Sequence, residues 1–280
     1  MNFQNDTSKY KKRFGLNIEE AKNIKLIALD LDGTLLDDDL KISKRTIDCI
    51  KSLVHRGINI ALVTGRTLGS AYLVRDILGV EVPIVAYNGG RIVVPPKGEI
   101  YTAKIPLTEA IKIIKYAENK ELYVKAYIDD LMYVEKDEEA SRIFCQKRGI
   151  EYKVVGKLSE NLTEDVNMII IYYKDPIYGK IDDELKNINV NITASATIAL
   201  DFVPKEVSKS NGLKLVANYL NIRREEILAI GNSQNDIDML SFAGIGIAMK
   251  NADSMLQERW NHFTEYTNNE EGVYHILKQI

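Results

Sequence analysis

Two carboxylates, those of Asp30 and Asp32, directly follow the apolar run Leu26–Leu29 in the stretch IKLIALDLDGTLL. In extended chain, residues two apart point to the same side, so both carboxylates should face one spot at the end of the predicted strand. An unbroken apolar run is typical of a strand covered on both faces, as in a parallel sheet. Negative charge at the end of such a strand is costly unless a cation lies beside it. The stretch therefore predicts a positive group near Asp30 and Asp32.

Three further polar loops have residue types that suit phosphate chemistry: TGR (64–66), SKSNG (208–212) and GNSQND (231–236). In open α/β sheets, ligands bind where the carboxyl ends of the strands meet, and these loops are predicted to lie there. Taken singly, each loop has an ordinary explanation as a helix-capping turn, a solvated lysine or a turn rich in side-chain caps. DLDGT (30–34) is harder to explain in that way, because its two acids should repel each other without a cation.

The predicted elements around these loops alternate between strand and helix. Ser43 is a predicted N-cap, and apolar residues at helical spacing follow as far as Val54. INIALVTGR (58–66) is a second buried strand, and a helix from about residue 67 to 78 leads to a third, VPIVAYNGG (82–90). Alternation of this kind predicts an α/β fold with a doubly wound, mainly parallel, Rossmann-like sheet and right-handed crossovers.

The domain organisation follows from a change in the pattern of predicted elements at about Arg91, where hairpin-like pairs of strands begin to alternate with helices. We predict an inserted α+β cap domain over residues 91–205, between the two parts of the core at 24–90 and 206–280. Residues 1–23 are predicted to be a polar extension with a short helix around Ile18–Lys22.

The composition is ordinary for a globular chain of 280 residues, with 45% hydrophobic and 28% charged residues. A net charge of -3 gives no support to nucleic acid or an anionic membrane as the main partner. The widely spaced Cys49 and Cys145 and three scattered histidines predict neither a disulfide nor a zinc site. Because we find neither a run of roughly 18 apolar residues nor the apolar core of a signal peptide, we expect a cytoplasmic protein.

Together, the four polar loops resemble in order and spacing the motifs of the haloacid dehalogenase superfamily of phosphohydrolases. The resemblance is strongest to the Cof-type branch, which carries a large α/β cap between its second and third motifs. LIALDLDGTLL, NGG (88–90) and IDMLSFAGIGIAMKNAD (237–253) add to it, and it covers the chain from about Ile24 onwards. It implies a Mg2+-dependent phosphatase for a small phosphorylated metabolite, such as a sugar phosphate or a nucleotide-like monophosphate.

The resemblance also implies a role for each residue of these loops. Asp30 would be the nucleophile that forms an aspartyl-phosphate, and Asp32 would be the general acid and then the base. Lys209 would offset the charge that spreads over the phosphate oxygens during transfer. The other implied roles are phosphate binding (Thr64, Gly65, Lys209, Asn235), Mg2+ binding (Asp30, Asp32, Asn232, and Asp236 for the metal or Lys209) and substrate contact (Arg66, Asn88, Gly89, Arg91). Tyr127, Asp129, Asp130 and Asp201 are further polar candidates in the cap, which ordinary surface positions would explain as well.

One position departs from the family pattern. Where the family usually has Gly-Asp, this chain has Gly231-Asn232. An amide oxygen can still bind Mg2+, but it brings less charge, so metal affinity and turnover are in question. Two alternatives to an active phosphatase therefore remain: a phosphate-binding regulatory protein whose catalysis has lapsed through Asn232, and a phospho-acceptor signalling domain. The large insertion and the DLDGT motif argue against the second.

Overall fold

The computed structural model describes residues 12–13, 22–177 and 180–280. Within these ranges the chain forms a nine-stranded sheet and a six-stranded sheet, each packed against helices. The strands are β1 (Lys12–Arg13), β2 (Leu26–Leu29), β3 (Asn59–Val63), β4 (Ile84–Ala86), β5 (Arg91–Val94), β6 (Gly98–Thr102), β7 (Tyr123–Ile128), β8 (Leu131–Val134), β9 (Glu151–Val154), β10 (Met168–Tyr172), β11 (Val190–Ala196), β12 (Ala199–Pro204), β13 (Ile227–Gly231), β14 (Ile245–Ala248) and β15 (His262–Phe263). The helices are α1 (Lys44–His55), α2 (Leu68–Leu78), α3 (Leu107–Asn119), α4 (Glu139–Arg148), α5 (Leu158–Asn161), α6 (Asp183–Lys186), α7 (Lys209–Tyr219), α8 (Ile237–Phe242), α9 (Ser254–Arg259) and α10 (Gly272–Leu277).

The nine-stranded core sheet has the order β1-β15-β14-β13-β2-β3-β4-β5-β6. Its strands from β15 to β4 are parallel, so their carboxyl ends lie along one edge. The four residues of β2 are all buried, and they alternate between two apolar clusters: Ile27 packs on the side of α1, and Ala28 packs on the side of α7 and α8. Coverage of both faces explains the unbroken apolar run of β2. The predicted α/β fold is confirmed.

The six-stranded cap sheet, in the order β11-β12-β10-β7-β8-β9, is antiparallel except for the β8–β9 pair. Its two faces have different partners. Ala126 and Ile169 pack in an apolar cluster with Ile113 of α3, whereas Tyr127 and Ile170 belong to the cluster of the core domain. The strands of the cap therefore present alternate residues to the core, and it is this face that lies over the carboxyl ends of the parallel strands.

Strands β5 and β6 extend the core sheet and not the cap sheet. The pair Val85↔Ile92 joins β5 to β4, and β6 pairs with β5 in turn. The predicted boundary at Arg91 thus falls before a hairpin that belongs to the core sheet. The short paired strands of this hairpin have the same sequence pattern as the strands of the cap. We propose that the inserted unit begins after Thr102 and ends near Lys205.

The N-terminal extension predicted over residues 1–23 and its helix around Ile18–Lys22 lie mostly outside the described residues. Of this stretch, Lys12–Arg13 form a short strand that is parallel to β15. Among the helices that the structure describes, none is long and apolar enough to cross a membrane.

Deletion of residues 103–205, with a short glycine-serine linker in their place, should leave a folded core. Strand β4 keeps its neighbour β5 in this variant, because the deletion leaves the β5–β6 hairpin intact. Far-ultraviolet circular dichroism and a cooperative thermal transition would report folding. Deletion of residues 91–205 is the matched comparison: it exposes the backbone edge of β4, so it should melt lower or aggregate. The reverse ranking of the two deletions would contradict the proposed boundary.

Candidate active site

The carboxyl ends of β2, β3 and β13 bring three of the polar loops to one place. The fourth loop, residues 208–212, forms the first turn of α7 and lies beside them. Asp30 follows β2, Thr64 follows β3, and the loop 231–236 follows β13. Lys209 is the first residue of α7, whose N-cap is Ser208. These elements are adjacent because the strands are neighbours in the sheet, so the clustering predicted from the sequence is present in the structure.

A buried lysine lies between two buried carboxylates at this edge. Lys209 Nζ is 2.7 Å from Asp30 Oδ1 and 2.6 Å from Asp236 Oδ1, and the side chains of all three residues are at most 8% exposed. Burial by itself lowers the pKa of Lys209, but the carboxylates of Asp236 and Asp30 outweigh it and raise that pKa above its ordinary value. Burial and the charge of Asp236 raise the pKa of Asp30. The cation that the two aspartates of DLDGT require is thus supplied in part by Lys209.

Asp236 is fixed by more than its ion pair. Its second carboxylate oxygen, Oδ2, accepts hydrogen bonds from the backbone N–H groups of Asn232 (2.8 Å) and Ser233 (2.9 Å). Both oxygens of Asp236 are therefore engaged within the protein. Of the two roles that the sequence left open for Asp236, the geometry favours holding Lys209.

Asp32 is held by two arginines, one from the core and one from the cap. Arg66 donates to both carboxylate oxygens at 2.7 Å each, and Arg148 at the end of α4 donates to Oδ1 at 3.3 Å. Although burial opposes it, these hydrogen bonds and charges keep the pKa of Asp32 below its ordinary value. The contact of Arg66 was predicted to be with substrate, and Arg148 was not singled out in the sequence. Arg148 follows Lys147 at the end of a helix that also carries Arg142, so the sequence does not distinguish it from an ordinary basic residue of the last turn.

The amide of Asn232 faces Asp30 at the position where the family usually has a carboxylate. One terminal atom of this amide lies 3.1 Å from Asp30 Oδ2, 3.0 Å from the backbone carbonyl oxygen of Asp32 and 3.2 Å from Thr34 Oγ1. If that atom is the nitrogen, it donates to these oxygens. If it is the oxygen, three oxygens converge at about 3 Å, close to the separation of adjacent ligands around Mg2+ at roughly 2.1 Å. The donor set of carboxylate, carbonyl and amide oxygen therefore fits a small hard cation.

The approach of Asn232 depends on Gly33. Gly33 has a φ of +75°, and a Cβ at this position would collide with the Asn232 amide. Because of this close approach, the site requires glycine after the second aspartate. Two of the three candidate donors here are amide oxygens, one from the Asp32 backbone and one from the Asn232 side chain. In the described part of the chain, no three His, Cys, Asp or Glu side chains are grouped so that they could hold a metal ion.

A chain of buried side-chain hydrogen bonds joins the core site to the cap. Asn235 donates to Asn88 (3.1 Å), Asn88 donates to Asp201 of β12 (3.2 Å), and Ser195 of β11 also donates to Asp201 (2.9 Å). Asn88 adopts a left-handed conformation with a φ of 54°. Asn235 Oδ1 is buried and has no hydrogen-bond partner among the described residues, so it is an acceptor available beside Asp30. The predicted residues Asn88, Asn235 and Asp201 therefore form one unit.

The other predicted residues divide into those at the cavity and those away from it. Thr64, Gly65 and Tyr127 line the cavity above Asp30, and Gly89 packs against the backbone of Ser208. The remaining three do not line it: Arg91 is paired with Glu99, Asp129 with Lys104, and Asp130 with Arg91 and the backbone of Gly69. Arg91 is the first residue of β5 in the core sheet, is paired with Glu99 and Asp130, and does not line the cavity.

The cavity between core and cap has a volume of about 210 Å³. Asp30, Asp32 and Arg66 form its floor. Its cap side is mainly aromatic and aliphatic, with a few polar groups: Tyr127, Phe144, Arg148, Ile150, Met168, Ile170, Tyr172, Ser195, Ala196 and Asp201. The site can therefore hold a small molecule with a polar head at Asp30 and a less polar remainder against the cap.

The sequence profile of the haloacid dehalogenase-like hydrolases matches residues 27–277. The chain belongs to this family. The phosphatase YitU of Bacillus subtilis, whose name gives its substrate as 5-amino-6-(5-phospho-D-ribitylamino)uracil, is 31% identical over 263 residues, covering 91% of this chain and 96% of that protein. Phosphatase YwpJ of the same organism is 26% identical over 286 residues and is matched over its whole length. The crystal structure of TM0651 from Thermotoga maritima superimposes with a TM-score of 0.74, at 31% identity over 92% of this chain and 97% of that one.

These similarities confirm the family and the Cof-type branch inferred from the sequence motifs, and the protein is a phosphatase of this family. The similarities extend through the cap, which the sequence motifs alone matched only in size and texture. The coverage agrees with a core and cap that are conserved together in these relatives.

Substitution of Asn88 by glycine should lower the free energy of unfolding by about 1–3 kcal/mol, because Asn235 and Asp201 each lose a buried hydrogen-bond partner. Glycine accepts the left-handed backbone, so strain does not contribute to the loss. Asn88→Ala should cost roughly 1 kcal/mol more. Urea denaturation measures these differences. Asn221→Gly is the matched control, since Asn221 is exposed and has a φ of 55°. Equal stability of Asn88→Gly and Asn221→Gly would show that the hydrogen-bond chain contributes nothing.

Proposed function

We propose that the protein is a Mg2+-dependent phosphomonoester hydrolase that acts on small phosphorylated metabolites through an aspartyl-phosphate on Asp30. The observation that carries this proposal is the arrangement of the Asp30 carboxylate. Its Oδ1 is held by Lys209, while Oδ2 faces Asn232 at the cavity floor. A carboxylate that Lys209 holds in place at the floor of the cavity is suited to attack a phosphoryl group placed above it.

In the first step, a carboxylate oxygen of Asp30 attacks phosphorus, and the bond from phosphorus to the leaving alcohol oxygen breaks. Lys209 and the buried Asn235 lie beside the phosphoryl position, and Thr64 and Gly65 line the same floor. Lys209, Thr64 and Gly65 would hold the phosphate oxygens and balance their charge as phosphorus becomes planar. Asn235 can contribute only through its amide N–H groups, because its free Oδ1 is an acceptor. In the second step, water attacks the aspartyl-phosphate, which regenerates Asp30 and releases inorganic phosphate.

Asp32 is placed to exchange the protons of both steps. In the proposed cycle it protonates the leaving alcohol and then removes a proton from the attacking water. Arg66 and Arg148 favour its ionised form, which suits the second step. A phosphate dianion in the cavity acts in the opposite sense, because a nearby negative charge raises the pKa of a carboxyl group. Bound substrate therefore favours the protonated form of Asp32, which the first step requires.

The residues that would hold Mg2+ are Asp30 through its carboxylate, Asp32 through its backbone carbonyl and Asn232 through its amide oxygen. The cation would supply charge that offsets the repulsion between the Asp30 carboxylate and the phosphate. With Asn232 in place of a carboxylate, the protein side of this site carries one formal negative charge fewer than the usual family site. Asp236 stabilises the arrangement indirectly, through Lys209 and the backbone of Asn232.

The enclosed cavity favours a metabolite over a phosphoprotein as the substrate, because the cap covers the site and leaves a small volume. The mixed aromatic and polar cap wall favours a leaving group that is not uniformly hydrophilic. A phosphorylated polyol joined to a nitrogen ring, as in the name of the YitU substrate, meets this description. Phosphate release from a panel of phosphorylated polyols, sugars and nucleotides, with and without EDTA, tests the proposal. Phosphate binding without release would instead support a regulatory protein.

Asp30→Asn should reduce phosphate release at least about 10³-fold, because an amide is a poor nucleophile. Phenyl phosphate with added Mg2+ is a suitable assay substrate, since its leaving group has no polar substituent. Asp32→Asn should also be inactive, but its affinity for inorganic phosphate should be better preserved. Asp39→Asn, at an exposed position, should keep the native turnover and is the matched control for replacing an aspartate by asparagine, while a mock purification measures contaminating phosphatase. Turnover of Asp30→Asn well above that of a mock purification would show that Asp30 is not the nucleophile.

Asn232→Asp should tighten Mg2+ binding about fivefold, equivalent to roughly 1 kcal/mol. A full charge roughly 4 Å from the cation is worth several kcal/mol in gross terms, but repulsion from Asp30 and the desolvation of a new anion offset most of that. Two titrations check this: the Mg2+ dependence of the melting temperature and that of phenyl phosphate hydrolysis. Turnover at saturating Mg2+ should rise or stay level. A midpoint that does not move, or moves to higher Mg2+, would mean that residue 232 is not a metal ligand.

A further inference from the structure

The cap contains a buried lysine with no counter-ion in contact. Lys125 of β7 is 3% exposed, and among the described residues its ammonium group has neither an ion pair nor a hydrogen bond. Its neighbours are aromatic rings. The nitrogen lies 3.6 Å from the ring centre of Phe144, 4.9 Å from that of Tyr172 and 5.7 Å from that of Tyr127. Burial lowers the pKa of Lys125 to about 7, with the charge of Asp201 opposing this shift and that of Arg148 adding to it.

The register of the cap sheet places Lys125 on the face that closes the active-site cavity. Lys125 pairs with Ile170 of β10, and Ile170 pairs with Asp201 of β12, so the three residues form one row on one face. Ile170 and Asp201 line the cavity, and so do the three rings around the lysine, whereas Lys125 itself contacts these rings and is not part of the lining. Val124 and Ala126, the neighbours of Lys125 in sequence, point to the opposite face and pack beneath α3.

Among the described residues, no carboxylate neutralises the ammonium group of Lys125 by direct contact. Asp201 lies two strands away, and its carboxylate accepts hydrogen bonds from Ser195 and Asn88. The guanidinium of Arg148 lies 4.3 Å from the centre of the same Phe144 ring that contacts Lys125. Two cations thus share one ring. The attraction of a ring for an ammonium group is smaller than the cost of removing that group from water, so the free protein is less stable with lysine here than with an apolar residue of similar length.

We propose that Lys125 is a substrate-binding residue that receives a carboxylate or carbonyl oxygen on the part of the substrate remote from its phosphate. The proposal rests on the phosphatase function proposed above and names the class of alcohol that it releases. An electron-rich oxygen reaching Lys125 supplies the acceptor that the protein omits, and a charge-assisted hydrogen bond in a site closed from water is strong. The aromatic rings beside it accommodate the flat or apolar remainder of the leaving group.

A residue retained for binding and a residue retained for folding respond differently to substitution. Lys125→Met removes the ammonium and keeps most of the side-chain volume. If Lys125 serves substrate, this variant should melt at the same temperature or higher, since a buried uncompensated charge is gone. If Lys125 instead stabilises the cap through its ring contacts, the variant should melt lower and should keep the native preference among substrates, with any loss of activity the same for all of them.

Two matched pairs of phosphate esters test the recognition. 6-Phosphogluconate and sorbitol 6-phosphate differ by a carboxylate at the far end of the same chain. Uridine 5'-monophosphate and ribose 5-phosphate differ by a carbonyl-bearing ring. For each compound, kcat/KM is measured or, where turnover is slow, the inhibition constant against phenyl phosphate. The native protein should prefer the acceptor-bearing member of at least one pair by about tenfold or more, and the pair that responds shows whether the oxygen is a carboxylate or a ring carbonyl.

Lys125→Met should bring that preference to within about threefold of unity, with each value expressed relative to phenyl phosphate hydrolysis by the same variant. Lys153→Met is the matched control, because Lys153 is an exposed lysine of the cap sheet with an aromatic contact to Tyr133. It should keep the native preference. A native protein that does not discriminate within either pair, or a Lys125→Met variant that discriminates as the native protein does, overturns the proposal. Failure of the native protein to hydrolyse any ester, phenyl phosphate included, would overturn the phosphatase function itself.

Discussion

The arrangement of the site depends on a single ammonium group placed between two buried carboxylates. Lys209 joins the loop after β2, through Asp30, to the loop after β13, through Asp236. Removal of the lysine charge would leave two buried carboxylates close together without a counter-ion, which is strongly unfavourable. The ion pair also fixes the orientation of the Asp30 carboxylate. In the proposed mechanism, the contact that stabilises the two loops is therefore also the contact that orients the nucleophile.

The cap is joined to this site by polar contacts that differ in exposure. Arg148 reaches Asp32 at the partly open floor of the cavity, where solvent weakens the attraction. Asn88 and Asp201 meet in a fully buried position, where an unpaired group would be costly. The second contact lies close to the connections between core and cap, so it is suited to persist when the cap moves. The first lies at the reacting groups, so it is suited to exchange with substrate.

The sequence predicted what depends on local pattern and missed what depends on distant partners. DLDGT, TGR and GNSQND each lie at the end of an apolar strand, and parallel pairing then brings them together. Arg148 contacts Asp32 across 116 positions of the chain, and a basic residue in the last turn of a helix carries no sign of that contact. Lys125 lies in an alternating strand, where polar residues ordinarily face water, and only the docking of the cap onto the core reverses that expectation. The sequence pattern places the hairpin β5–β6 in the cap, because a hairpin of short strands has the same sequence pattern whichever sheet it joins.

The way in which Asp236 is held has a consequence for how this site can change during evolution. Residue 232 supports Asp236 through its backbone N–H, while its side chain alone faces the cation position. Any residue except proline provides that N–H. Mutation at this one codon can therefore vary the affinity for metal while the positions of Lys209 and the nucleophile stay constant. Aspartate and asparagine at position 232 would then give two metal affinities in an otherwise unchanged site, and a lineage could move between them as the metal supply of its habitat changes.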